Sequence, residues 1–329
     1  MNKTMNSPAE AKKKLRFSDL LSGNRALVLL LAVVCIILSF TVPNFMTMTN
    51  LMNVLIQASV IGLPAIGLTF ILITAGNDLS LPTNMACSAI LGCYIMRATQ
   101  NMLLGIVCIM GFAILFGCIN GFSVSRLKMI PMIVTLAIQT LNTGISEYVT
   151  QGTSIANFPE KYMTIFAAKP LGIPVSVIAF AVCAVIAHFL LSRTIFGRQL
   201  FETGINEKAA RVNGVNTPKI LFLIYIIGGL MAGICGVFTA ARLNAAGPSM
   251  GPTSAFNNII CSCVLGGASV WGGKGTIVGT VIGSVIMAII TNVMNLLNVN
   301  FFVTYVIKGI IIIAVCYIDV VRNQVKEEK

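Results

Sequence analysis

The chain has 329 residues, 57% of them hydrophobic and 10% charged, with a mean hydropathy of +0.91, far from the roughly 25% charge of soluble domains. That composition excludes a soluble enzyme and describes one polytopic membrane bundle surrounded by lipid. A net charge of +12 would fit a nucleic-acid binder only as a clustered basic patch; cytoplasmic loops of membrane proteins collect Lys and Arg, so no nucleic acid is expected.

In chain order, residues 1–25 form a cytoplasmic segment with Lys12, Lys13, Lys14 and Arg16 ahead of an apolar run from Ala26. The run lacks a small-residue cleavage site and reads as a retained first span rather than a signal peptide. Apolar runs between polar breaks then predict an all-α transmembrane bundle over 26–319. The ten candidate spans are 26–42, 51–75, 79–97, 103–122, 130–150, 171–191, 219–241, 254–270, 276–296 and 302–318, followed by a cytoplasmic tail at 320–329. The third and eighth are the weak ones, expected to be short or broken.

Counting cations sets the orientation. With the N-terminus inside, Arg25, Arg126, Lys128, Arg193, Arg198, Lys208, Arg211, Lys219 and Lys274 join the basic termini in the cytoplasm. Only Arg97, Lys161, Lys169 and Arg242 fall outside. Both termini are therefore expected in the cytoplasm. An eight-span version, with segments three and eight re-entrant, would put the basic insert around residue 205 on the outside, which counts against it.

Segment three opens with AGNDLSLPTN, where Asp78 or Ser80 suits a helix cap and Pro82 a first turn. Segment eight opens with Asn257 and Asn258 and ends in glycines. Polar or irregular backbone at membrane depth is tolerated where protein or a water-filled cavity surrounds it, and broken helices in transporters sit beside the solute path. Asn77, Asp78, Ser80, Asn257, Asn258 and Ser262 are thus the candidate path residues. The plainer reading of the same residues is helix caps and small-residue packing.

The polar stretch 192–219 interrupts the apolar pattern. Within it Asn206 suits the cap of a short helix, Glu207 and Arg211 form an i,i+4 pair, and Gly214 fits the position just past the helix end. Such a helix is too short to stand alone in water, so something must hold it: its own bundle or a cytosolic partner. VWGGKGT fails as a phosphate-binding loop, because Ala268 and Gly275 stand where Gly and Ser/Thr are required. No ATP site, no cofactor and no metal cluster follow from the sequence, and the ten cysteines lie in apolar segments without metal-ligand spacing. No nucleophile, base or ligand set has a usable catalytic spacing, so no catalytic residue is assigned. Ionisable groups in or at the margin of a span are few, namely Asp78, Glu147 and Lys308. That scarcity weighs against the competing class, a stand-alone secondary carrier or channel for small polar solutes.

Four stretches together resemble the permease subunit of ribose-type sugar ABC importers: TAGNDLSLP, KMIPMIVTLAIQTLNTGI, TIFGRQLFETGINEKAARVNGVN, and VLGGASVWGGKGTIVGT with the closing VIKGIIIIAV. The resemblance covers nearly all the chain after about residue 45 and keeps the family's order. It implies a path formed with a second permease copy or paralogue, and ATP-hydrolysing subunits in the cytoplasm. It also implies an extracytoplasmic sugar-binding protein that delivers the cargo, and a location in the bacterial inner membrane among its lipids. It further implies that Asn206, Glu207, Ala209, Ala210, Arg211 and Gly214 form the element that couples to the ATPase, the alanines and glycine keeping the contact close. The chain departs from the family at Asn77, and at Phe256 and Asn258 where acidic residues are usual, which bears on which solute passes.

Overall fold

The computed structural model describes residues 24–300, 302–311, 313–314 and 317. The expected N-terminal segment up to residue 23 and the tail 320–329 lie outside it, with their basic residues. Among the described residues all regular structure is helical, apart from one isolated antiparallel bridge between Ile155 and Ala246.

The helices are α1 (Asn24–Thr41), α2 (Met48–Ile73), α3 (Leu81–Thr99), α4 (Met102–Ser125), α5 (Pro131–Thr150), α6 (Glu160–Phe166), α7 (Val175–Arg193), α8 (Ile195–Ile205), α9 (Glu207–Val212), α10 (Thr217–Leu243), α11 (Ala255–Leu265) and α12 (Ile277–Leu296). An apolar helix α13 (Phe302–Ile311) follows. Their starts follow local chemistry: Thr47, Asn101, Asn216 and Thr276 each accept a hydrogen bond from the backbone N–H two or three residues into α2, α4, α10 and α12, which satisfies a donor the helix leaves orphaned.

Five of these, α2, α4, α7, α10 and α12, are long and apolar enough to cross a membrane. Helices α3 and α5 match them in length, at roughly 28–30 Å, but carry polar residues along their faces. Segment three is one continuous helix of 19 residues, and its irregular backbone precedes it, at 74–80. Segment eight is shorter than the predicted 254–270, since α11 has 11 residues and spans only about 16 Å. Its glycine run leaves the helix at Gly266 and turns at Gly267, which has a φ of 88°.

Helices α2 and α10 form the buried middle. Along its most apolar stretch, α2 is 83% buried and α10 61%, against 28% for α4 and 22% for α7. Lipid tails are as apolar as leucine, so helices in a bilayer associate by close packing rather than by expelling water. The contacts show it. A Cβ at Gly67 of α2 would lie 2.8 Å from the Cα of Gly228 on α10, and one at Gly229 would lie 2.4 Å from the carbonyl oxygen of Ala113 on α4. Polar pairs add register between α2 and α12: Asn50 and Asn292 exchange two amide hydrogen bonds, at 3.1 and 2.8 Å, and the hydroxyls of Thr69 and Thr280 lie 2.7 Å apart.

The loops sort to two ends. At one end lie α8 and α9, the α4–α5 loop with Lys128, and the glycine loop 266–276, tied to the end of α2 by the hydrogen bond from the Gly273 N–H to the Ile73 carbonyl, 2.8 Å. At the other lie α6 and the 244–254 segment. The Tyr162 hydroxyl donates to the Val237 carbonyl at 2.6 Å and anchors α6 onto α10.

Helix α11 packs on α12 through backbone. Added Cβ atoms would lie 1.9 Å from the Gly266 oxygen at Gly279, and 2.1 Å from the Ser262 oxygen at Gly283. Gly283→Leu is expected to force the pair apart and to cost roughly 1–3 kcal/mol, the range for overpacking. Thermal unfolding of the purified chain in detergent measures it, and an unshifted midpoint refutes the contact.

Candidate functional site

The polar interruption is an elbow of two helices, not one. The hydroxyl of Thr194 accepts from the Gly197 N–H at 3.3 Å and starts α8, an element the sequence reading missed. Its signals were that cap and the apolar positions Phe196, Leu200 and Phe201 at helical spacing. Asn206 then ends α8 and caps α9, its side chain accepting from the Ala209 N–H at 3.1 Å. Gly214 sits just past α9 with a φ of 84°, and the N–H groups of Gly214 and Val215 donate to the carbonyls of Arg211 and Ala210. That pairing is the Schellman arrangement, for which glycine supplies the left-handed conformation without strain.

The elbow is held by its own bundle. Gly204 packs against the last turn of α2, where a Cβ would lie 1.8 Å from the Ile73 oxygen. Glu207 receives hydrogen bonds from Arg211 and, at 3.1 Å, from the Thr217 hydroxyl, and lies 3.6 Å from the Lys128 ammonium. Partial burial alone pushes the Glu207 carboxyl up, but the bonds from Arg211 and Thr217, then the charges of Lys128 and Arg211, outweigh it and hold the group below its ordinary value. Of the three small positions proposed for close contact with a partner, Ala209 is exposed and Gly214 faces open space, whereas Ala210 is buried at 3% exposure against its own chain. Ala210 thus faces inward, because on a six-residue helix one side must cover the bundle.

The candidate path residues fall into two separate groups. Asn77, Asp78 and Ser80 lie in the turn by which the chain re-enters the bundle after α2. Asp78 is buried, and accepts from the Ser80 N–H at 2.9 Å and from the Ser80 hydroxyl. The Asn120 amide of α4 donates to the Ser80 hydroxyl at 2.9 Å and reaches the Asp78 carboxylate at 3.4 Å. The Tyr225 hydroxyl of α10 donates to the Asn77 carbonyl at 3.3 Å. Ser80 occupies the cap position of α3 without capping it, since Asp78 takes its hydroxyl; Pro82 does stand in the first turn. This group is a closed polar knot between α2, α4 and α10.

In the second group Ser262 is buried and donates to the Asn258 carbonyl at 2.7 Å, and Asn257 is exposed. The side-chain oxygen of Asn258 is buried without a hydrogen-bond partner among the described residues. Neither group opens onto the cavity of about 460 Å³ that lies between α3, α5 and the 246–254 segment. Thr83, Thr143, Ser146 and Glu147 line that cavity, and of these the sequence reading noted only Glu147, as a charge at the margin of a span.

The family described as "Branched-chain amino acid transport system / permease component" matches residues 50–316. Curated relatives match over nearly the whole length. The ribose import permease protein of Bacillus subtilis (strain 168) is 36% identical, the match covering 88% of this chain and 90% of that one. The ribose import permease protein of Escherichia coli (strain K12) is 31% identical over 91% of this chain and 94% of its own. The L-arabinose transport system permease protein of the same strain is 31% identical, covering 91% of each. Among solved structures, an inward-facing metal-chelate type ABC transporter superposes with a TM-score of 0.55 at 16% identity, over 89% of this chain and 98% of that one; at that identity the likeness is one of fold.

Because the Glu207 carboxyl is depressed, its contribution to holding α9 is present above the ordinary carboxylate range and lost as pH falls through the lowered folded value. Glu207→Gln is expected to speed amide exchange in 207–213 at neutral pH, while acidification lowers the protection of the same amides in the parent chain, measured against their intrinsic exchange rates at each pH. Hydrogen exchange read by mass spectrometry checks this; equal rates in parent and variant would rule out the clamp.

Proposed function

This chain belongs to the branched-chain amino acid transport system permease component family, and from that premise we propose that it is the membrane-spanning subunit of an ATP-binding-cassette importer for a ribose- or arabinose-type sugar. The observation that carries the proposal is the match to ribose and arabinose permeases over about nine tenths of the chain. Sugar is favoured over the amino acid of the family's description because those relatives are named for sugars.

In this reading the chain supplies the path and not the energy. VWGGKGT lacks the residues that cradle a nucleotide, so ATP is bound and hydrolysed by separate cytosolic subunits. The α8–α9 elbow is where they dock. It projects beyond the spans, it is braced on the ends of α2 and α10, and it leaves apolar side chains bare: Ile205 is 74% and Val212 88% exposed. Trp271, 72% exposed, stands in the adjoining glycine loop, whose Gly272 and Gly273 pack against Gly204 and Ile205. Exposed apolar surface ringed by Arg198, Lys208 and Arg211 fits a protein partner.

The same end carries most of the described loop cations, Arg126, Lys128, Arg193, Arg198, Lys208, Arg211, Lys219 and Lys274, so it is assigned to the cytoplasm. The opposite end faces the binding protein that delivers the sugar. A second permease copy, or a paralogue, completes the path. Helix α5 supports that, since Thr140, Thr143 and Glu147 are exposed along the side on which the cavity opens, where lipid would be a poor neighbour.

Reconstitution with the ATPase and binding-protein subunits is expected to give ATP-dependent uptake of radiolabelled D-ribose or L-arabinose. Uptake by the chain alone without ATP would instead establish a stand-alone carrier. Ala209→Trp, on the exposed side of α9, is expected to leave the chain folded and to abolish co-purification of the ATPase. Ala210→Trp is expected to lower the unfolding midpoint of the isolated chain, since it drives a ring into the bundle. Co-purification undiminished by Ala209→Trp refutes the docking surface.

A further inference from the structure

The cavity at the end opposite α9 is built from three elements distant in sequence. Its floor is the first turn of α3, where Thr83 is 4% exposed and bonds the Ser80 carbonyl at 2.9 Å, so the Asp78 knot lies directly behind it. One wall is α5, on which Thr143, Ser146 and Glu147 stand at i, i+3 and i+4 and so share a face. The other wall is the 246–254 coil. Paired 2.8 Å hydrogen bonds between Ile155 and Ala246 hold one end of it. At the other, Gly251 lies so close to α3 that a Cβ would stand 1.9 Å from the Pro82 oxygen.

The coil thereby reaches deep into the bundle. Asn84, two residues beyond Pro82, donates to the Ala113 carbonyl, and Ala113 is level with Gly229, near the midpoint of α10. The cavity therefore leads from that end toward the middle of the bundle's thickness.

Its chemistry selects a class of solute. The lining offers hydroxyl groups, backbone and one carboxylate beside the apolar surfaces of Ala86, Pro248 and Pro252, with no cationic side chain. Hydroxyls both donate and accept, and a carboxylate accepts from two donors at once. Among the described residues Glu147 forms no ion pair, so its acceptor sites are not neutralised by a neighbouring cation. Such a wall suits neutral molecules bearing several hydroxyls and repels phosphates and carboxylates. At about 460 Å³ the space falls within the 300–1,000 Å³ of small-molecule sites.

We propose that this cavity is the resting site of the solute during passage, holding a neutral polyhydroxylated molecule of monosaccharide size between Thr83, Thr143, Ser146 and Glu147. The proposal rests on the sugar-import reading and adds to it the residues that meet the cargo, none of them among the six path residues expected from sequence. Thr83 and Ser146 form the inner, buried part of the site; Thr143 and Glu147 form its open rim.

The test uses the whole transporter, this permease with its ATPase and binding-protein subunits in proteoliposomes, and radiolabelled D-ribose and L-arabinose as probes. Thr143→Val and Glu147→Gln are each expected to lower uptake at saturating binding protein about tenfold, the effect of losing one or two hydrogen bonds. Glu147→Gln is also expected to change the ratio of ribose to arabinose uptake, which a purely structural role would leave alone. Binding-protein capture and ATPase co-purification should stay at the parent level.

Thr143→Cys tests the site after folding is complete. A membrane-impermeant maleimide should label the new thiol, D-ribose should slow the labelling, and the labelled transporter should lose uptake relative to the parent chain treated in the same way. Parent-like uptake and ratio in both first variants, or labelling indifferent to ribose, overturns the cavity while leaving sugar import standing. Loss of binding-protein capture with uptake per captured complex unchanged also overturns it, by making the cavity a docking surface. A parent transporter that imports neither sugar removes this proposal and the sugar reading together.

Discussion

Backbone contact along α10 is the constraint on which the other parts of this bundle depend. Inside a bilayer no hydrophobic force drives one helix against another, so the stabilisation must come from atoms that touch. Glycines at 67, 228 and 229 let α10 come into backbone contact with α2 on one side, at Gly67–Gly228, and with α4 on the other, at Gly229–Ala113. Because dispersion contacts are weak singly and accumulate only at close range, a methyl group at these positions would remove many at once. The rigid α2–α4–α10 core that results is what the less regular segments lean on.

Those segments are the turn after α2 and the coil before α11. Peptide groups in hydrocarbon must be bonded within the protein, and a buried carboxylate needs donors that replace its water. Asp78 meets that requirement through the Ser80 backbone, the Ser80 hydroxyl and Asn120, and the bonds reach across from α3 to α4. The knot therefore does two things: it keeps a charge tolerable at depth, and it sets where α3 begins. The first turn of α3 in turn decides where Thr83 stands and how closely Gly251 approaches.

At the other end the same core supports a different use. The α8–α9 elbow is too short to fold alone, and it is braced by Gly204 on the end of α2 and by Glu207 reaching Lys128 and Thr217. Lys128 lies three residues before α5. One charged group thus touches the elbow, the start of α10 and the approach to the helix whose far end lines the cavity. The elbow presents its apolar side chains outward because its small inward side, Ala210, is taken up by this bracing.

The short-range features of this protein were legible in its amino acids. Long apolar runs, the cation asymmetry between loops, the Asn206 cap and the Gly214 turn each depend on neighbours within a few residues, where hydrogen-bond geometry and hydropathy act directly. The family was legible too, because its motifs occur in order along the chain. What lay beyond reach depends on approach in space. That the Asp78–Ser80 pair is tied to α4 depends on Asn120, forty residues beyond Ser80. Whether Ala210 faces a partner or its own bundle is decided by the ends of α2 and α10. The cavity draws Thr83, Ser146 and Gly251 from three distant segments, and their meeting follows from helix crossing and glycine contact. Local sequence determined where the long apolar helices form and how the loop cations divide between them; only the tertiary packing decided which polar side chains face each other across helices, since that depends on which helices lie side by side and how closely they approach.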